Sequence, residues 1–178
     1  EVPEDAATLV VAGPKKPLLT EELNSIQSYL NKGGAVMMLI DPKAKSGLDE
    51  FLKNWGIQLG GDIVIDPMSK LFGGDFAAPV VNQYTVHDIT SEFVLATIFP
   101  IIQSVRSIPN SNIETVELLK TSGNSWGESD FESGTVKFDA ETDLKGPVPV
   151  AVVATKSLEE KEAHKVEGGE THDHSHSQ

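Results

Sequence analysis

Residues Thr8 to Pro42, TLVVAGPKKPLLTEELNSIQSYLNKGGAVMMLIDP, read as one complete βαβ unit. Thr8 to Ala12 is a short β-branched apolar run stopped by Gly13-Pro14, the pattern of a buried strand. Leu19, Leu23, Ile26 and Leu30 then recur at helical spacing and give the next segment one apolar face. Thr20 is placed to cap that helix, and Glu21 and Glu22 put negative charge at its positive end. Gly33-Gly34 ends it, because glycine accepts the left-handed conformation that follows a helix. Ala35 to Ile40 is a second continuous apolar run, closed by Asp41-Pro42. Two fully apolar strands around an amphipathic helix imply a parallel sheet covered on both faces. The expected fold is therefore α/β: three layers with a mostly parallel sheet, flavodoxin-like in outline.

Outward from this unit, Ser46 to Trp55 is expected to be a second helix, with Leu48, Phe51, Leu52 and Trp55 on one face. Ser46 and Asp49 have the spacing of a loose capping box, and Gly56 supplies the stop. Ile57 to Leu59 and Ile63 to Ile65 read as short strands, and Gly60-Gly61 between them suits a tight turn. Met68 to Asp88 is a long irregular connection, of the kind that is often functional. Ser91 to Ala96 suits a short helix capped by Thr90. Ile101 to Ile108 and Glu114 to Leu119 alternate enough to be strands. Thr121 to Thr142 is polar and rich in Gly and Ser, a loop or a small β excursion around Thr135 to Phe138. Gly146-Pro147 precedes a last apolar strand, Val148 to Ala154.

The order of these segments resembles the soluble domain of the ABC-transporter auxiliary proteins, of which the gliding-motility-associated component is the best-known type. The matching features are a strand ending in Gly13-Pro14, then Pro17-Leu18, Tyr29-Leu30, Gly33-Gly34 and Asp41-Pro42. Leu52, Trp55-Gly56-Ile57, Val64-Ile65-Asp66, His87, Ile89-Thr90, Thr121-Ser122, Ser125-Trp126 and Gly146-Pro147 continue it, covering roughly Thr8 to Thr155. The resemblance implies a class I glutamine amidotransferase-like fold and a membrane-anchored partner of an ABC transporter, with no catalytic chemistry. It also implies an extracytoplasmic (periplasmic) position on a bacterial inner membrane and contact with the membrane and ATPase subunits. On this reading the anchoring segments lie outside these residues, and one or more strands of a full domain have room upstream of Glu1.

Composition narrows the choices. The 178 residues suffice for one domain with a core. Against 14 Lys and Arg stand 27 Asp and Glu, a formal net charge of -13, which repels nucleic-acid phosphates and anionic lipid headgroups. The acidity reads either as solubility or as an acidic recognition surface. Cysteine is absent, which excludes disulfides, thiolate metal sites and thiol-dependent glutaminase chemistry. No run of transmembrane length is present. After Lys156 the composition changes, dividing an α/β domain, 1–156, from a charged, His-containing tail, 157–178, expected to be flexible.

Candidate sites are few. Asp41 and Asp66 each end an apolar strand, where open α/β sheets bind ligands, although Asp before Pro is also a common turn starter. His87-Asp88 invites a catalytic reading, but adjacent residues rarely face one another and a triad needs a third group. Ser122 and Ser125 do not sit in Gly-x-Ser-x-Gly, so a nucleophile elbow is absent. Gly13-Pro14-Lys15-Lys16-Pro17 has the position of a phosphate loop, yet two prolines remove the amides that would cradle phosphate. Trp126 is an aromatic in a polar segment, either a binding surface or a loop folded over the sheet. His172, His174 and His176 can chelate metal adventitiously, without the fixed geometry of a specific site. No cofactor is expected. The reading is a non-catalytic extracytoplasmic interaction or ligand-binding domain, with Asp41, Asp66, His87 and Trp126 as its binding candidates. The alternative is a hydrolase-like enzyme at the C-terminal edge of the sheet.

Overall fold

The computed structural model describes residues 1–134 and 136–158. The βαβ unit forms as its sequence dictates: strand β1 (Thr8–Ala12), helix α1 (Thr20–Asn31) and strand β2 (Ala35–Leu39). β1 and β2 pair in parallel from Thr8↔Ala35 to Ala12↔Leu39. The helix cap differs in detail from expectation. Leu19, not Thr20, is the N-cap, and its N–H donates to Glu22 Oε2 at 2.7 Å. Gly33 takes φ +90° after the last turn, the left-handed exit that glycine permits. The sheet is not covered on both faces. Leu9, Val11, Val36 and Met38 are half-buried, whereas Val10, Met37 and Leu39 face outward and are exposed.

Helix α2 (Asp49–Asn54) starts later than the Ser46 expected. Ser46 is buried before it, and its carbonyl accepts the Leu18 N–H at 3.0 Å. Strands β3 (Ile57–Leu59) and β4 (Ile63–Ile65) follow, but Gly60-Gly61 does not join them into a hairpin. Gly60 N–H donates to Ser104 O (2.9 Å) and Gly61 N–H to Gln103 Oε1 (3.1 Å). The bend is thereby tied to a distant segment, and the two strands enter different sheets. β5 (Val80–Val81) pairs with β6 (Thr97–Ile98), and β7 (Val105–Ser107) with β3. β8 (Glu114–Lys120) pairs with β11 (Pro149–Thr155), while β9 (Trp126–Glu128) lies between β4 and β10 (Leu144–Lys145).

These pairings correct the expected fold class. Only β1 with β2 is parallel; every other strand pairing among the described residues is antiparallel. The mostly parallel three-layer sheet expected of a flavodoxin-like or amidotransferase-like domain is not formed. The physical reason is the connections. A parallel pair needs a long crossover, usually helical, and beyond Asn54 the described chain forms only 3₁₀ turns, at Pro67–Phe72 and Phe131–Ser133. Ser91 to Ala96 is a succession of turns rather than a helix, and residues 136–138 form no strand. The polar stretch after Thr121 contributes β9 instead.

The core sits in this antiparallel part. Val64, Val81, Val148 and Val150 are buried together, with Tyr84, Phe99, Ile102, Leu119 and Leu144 packed against them. Ile26 of α1 and Leu48 and Leu52 around α2 are also buried.

Candidate functional site

Asp41 leaves the end of β2 for solvent and forms an ion pair with Lys15 of the β1–α1 loop. Exposed pairs of this kind contribute little. Its backbone is held instead: Gln103 Nε2 donates to Ile40 O (3.2 Å) and Asp41 O (3.1 Å). Nearby, Lys43, Ala44, Leu59, Gly60 and Gln103 border a shallow hollow of about 260 Å³.

Asp66 ends β4 and is buried, 1% exposed. Its Oδ1 accepts the Met68 N–H (3.0 Å) and the Ser122 hydroxyl (2.8 Å), and its Oδ2 accepts the Ser122 N–H (3.2 Å). One carboxylate thus caps the 3₁₀ turn and fastens the β8–β9 connection to it. Asp-Pro acts here as a turn starter and an internal strut. The aspartate–serine pair looks catalytic on paper, yet the serine donates its proton inward to the carboxylate.

His87 is half-buried in the segment between β5 and β6, and its Nδ1 accepts the Ile89 N–H at 3.1 Å. That assigns the ring proton to Nε2. No hydrogen bond joins it to Asp88 or Ser122 among the described residues, so no triad is assembled.

Trp126 lies on β9, half-buried, with Nε1–H donating to Glu128 Oε2 (3.1 Å) and its ring edge-on to Phe138 (6.3 Å, 67°). With Ile65, Pro67, Lys70, Phe76 and Val136 it lines a second hollow of about 290 Å³. The Lys70 ammonium stands 5.4 Å from the Phe76 ring centroid, within cation–π range. Ile65 and Pro67 bracket Asp66, so Asp66 and Trp126 belong to one neighbourhood. Neither hollow is lined by Asp41, Asp66 or His87, so the sequence candidates do not converge on one pocket.

Two buried carboxylates escaped the sequence reading. Asp62, between β3 and β4, accepts the Ser104 N–H and hydroxyl, each at 2.7 Å. Gly60 and Gly127 keep room for it: a Cβ on Gly127 would meet Asp62 Oδ2 at 2.2 Å. Glu128 holds Trp126 and also accepts the Asp130 N–H at 3.1 Å. The available signal was glycines beside an acid within strand-forming sequence. Among the described residues no group of three or more His, Cys, Asp or Glu is placed to hold a metal ion. His172, His174 and His176 lie outside the described residues.

Shallow hollows and inward-facing carboxylates on a mixed, mainly antiparallel scaffold define a small domain built around contacts within itself. The family model described as an ABC-type uncharacterized transport system matches residues 1–173. The chain belongs to that family, as the motif order suggested. No curated protein matches. Three chains of solved structures do, among them the mmIFT52 N-terminal domain, at 16% identity and a TM-score of 0.57. That match covers 68% of this chain but only 55% of the other, and at such identity it speaks for shared fold alone.

Proposed function

We propose that this chain is a non-catalytic interaction domain of its ABC-type transport system. It works on the extracytoplasmic side of a bacterial inner membrane and touches the membrane subunits directly and the ATPase subunits through them. The observation that carries the reading is Asp66: the carboxylate best placed for chemistry spends its oxygens on Met68 and Ser122 inside the fold. Family membership supplies the transport context. Among the described residues no helix is long and apolar enough to cross a membrane, so on this reading anchoring comes from other parts of the protein. A gliding-motility-type export system is the finer form of the proposal, supported by the motif order. Residues 1–156 carry the function in this reading, and Gly168 to Gln178 do not contribute to it.

The test is a crosslinking pull-down of the full-length, membrane-inserted protein from its native cells. Recovery of the transporter's membrane and ATPase subunits is the expected result, unchanged when Gly168 to Gln178 are deleted. Recovery of neither subunit overturns the proposal.

A further inference from the structure

The segment Asn82–Ala96 between β5 and β6 turns its apolar side chains to solvent. Val86 is 95% exposed, Val94 87%, Leu95 69% and Ile89 64%, with Phe93 half exposed beside them. Disorder does not explain this, because the segment is fastened throughout. Thr85 donates through its N–H to Leu118 O (2.8 Å) and through its hydroxyl to Glu117 O (2.6 Å), both on β8. The Thr90 hydroxyl donates to Thr85 O (2.6 Å), and Phe93 N–H to Thr90 O (3.0 Å). Phe93 packs edge-on against Tyr84 (5.2 Å, 78°), whose hydroxyl reaches Leu95 O (2.7 Å) and Thr97 Oγ1 (2.8 Å). A backbone already held outside the core has less freedom to lose when a partner arrives, which lowers the entropic cost of docking. Several exposed apolar side chains on one ordered segment are the mark of an interaction surface.

Charge selects the kind of partner. Between Lys70 and Arg106 the sequence has no Lys or Arg, while Asp75, Asp88 and Glu92 fall within that span. A loop that inserts into anionic lipid needs basic residues beside its apolar ones, and this chain carries -13 overall. A second copy would bring the same acids to the same place. We infer that Asn82–Ala96 is a docking loop for a protein partner whose apolar groove is bordered by lysine or arginine. Val86, Ile89, Phe93, Val94 and Leu95 fill the groove, and Asp88 and Glu92 meet its rim. The inference deepens the proposed function and rests on it for the partner's identity, a membrane subunit of the transport system.

The experiment places the photoreactive residue p-benzoylphenylalanine at position 94 of the full-length protein in its native cells. A control places it at position 37, on the exposed face of β2. Position 94 is expected to crosslink to a transporter membrane subunit and position 37 not to. With the purified subunit in detergent, Val94→Ser/Leu95→Ser is expected to weaken binding about 30-fold, the scale of a truncated hot spot. Asp88→Asn/Glu92→Gln is expected to reduce the salt dependence of binding. Both variants change solvent-facing side chains, and an unaltered melting curve certifies their fold. Crosslinks from position 94 to lipid or to a second copy overturn the inference. So does a subunit crosslink from position 37 alone, or one from position 94 that the double serine variant leaves undiminished. If the pull-down recovers the transporter while position 94 captures nothing, the docking inference fails and the proposed function stands. If the pull-down recovers no transporter subunit while position 94 captures another protein, through an apolar groove with a basic border, the proposed function fails and the docking loop stands.

Discussion

A buried carboxylate with no cationic partner among the described residues shapes the residues around it, and Asp62 is the clearest case. Its oxygens are satisfied by the Ser104 amide and hydroxyl, and the space they occupy exists only because Gly127 and Gly60 lack a Cβ. In Gly127→Ala the new methyl would lie 2.2 Å from Asp62 Oδ2 and 2.8 Å from Cγ. Neither the hydrogen-bonded carboxylate nor β9 can yield without breaking its own bonds. The expected loss is about 2–4 kcal/mol in urea unfolding, the range of overpacked, polar-disrupting core changes. Gly123→Ala is the control: nothing lies within 4 Å of its Cβ, and the expected change is within about 0.5 kcal/mol. Asp143 behaves differently because its partners are near solvent. Burial pushes its carboxyl pKa up, but the Asp139 N–H, the Ser129 N–H and hydroxyl and the Thr142 side chain outweigh that and hold it below the usual value. A folded pKa below the unfolded one contributes stability above the unfolded pKa and loses it as pH falls through the folded pKa. Asp143→Asn is therefore expected to narrow the difference in melting temperature between neutral pH and pH 3. The effect stays below about 1 kcal/mol, since the group is largely hydrated.

Elements were legible wherever their own sequence closed the argument. The βαβ unit fell where its apolar period, its acidic first turn and Gly33 placed it, because each signal is local. Pairing partners were not legible, and that is where the fold reading failed. A three-residue strand such as β3 or β4 carries no record of which distant strand it joins. Contacts such as Gly61 with Gln103 decide it. The same limit hid the site. Trp126 drew notice as an odd aromatic, yet its company of Lys70, Phe76 and Phe138 comes from three separate segments. The loop between β5 and β6 was expected to be irregular as far as Asp88 and a short helix over Ser91 to Ala96, and its observed order owes much to contacts of one side chain, Tyr84. Tyr84→Phe keeps the ring beneath Phe93 but removes the hydroxyl that reaches Leu95 O and Thr97 Oγ1. The expected outcome is faster hydrogen exchange at the Phe93 amide, about five- to tenfold, from the loss of about 1–1.5 kcal/mol of local hydrogen bonding. The β1–β2 amides should not change. Uniform acceleration across both regions would mean that Tyr84 supports the whole domain instead of the loop.

At the scale of the whole molecule the net charge of -13 acts on stability and on association in opposite directions. An excess of like charges destabilises the compact state, and salt screens it. The free domain's melting temperature is therefore expected to rise as sodium chloride is increased from low to physiological concentration. Association with a basic-rimmed partner depends on the same field for steering, so its on-rate is expected to fall over that interval, by about tenfold. The dissociation rate is set by the buried apolar contacts of the docking loop and should change much less. Stopped-flow binding and thermal melts on the same samples give both numbers. An on-rate that ignores salt while stability responds would leave the acidity as a device for solubility alone, with docking driven by Val86, Ile89, Phe93, Val94 and Leu95 without help from Asp88 and Glu92. Opposite responses would instead show one charge distribution loosening the free domain slightly and recruiting its partner, and loss of the on-rate response in Asp88→Asn/Glu92→Gln would place the functional part of that charge on the loop.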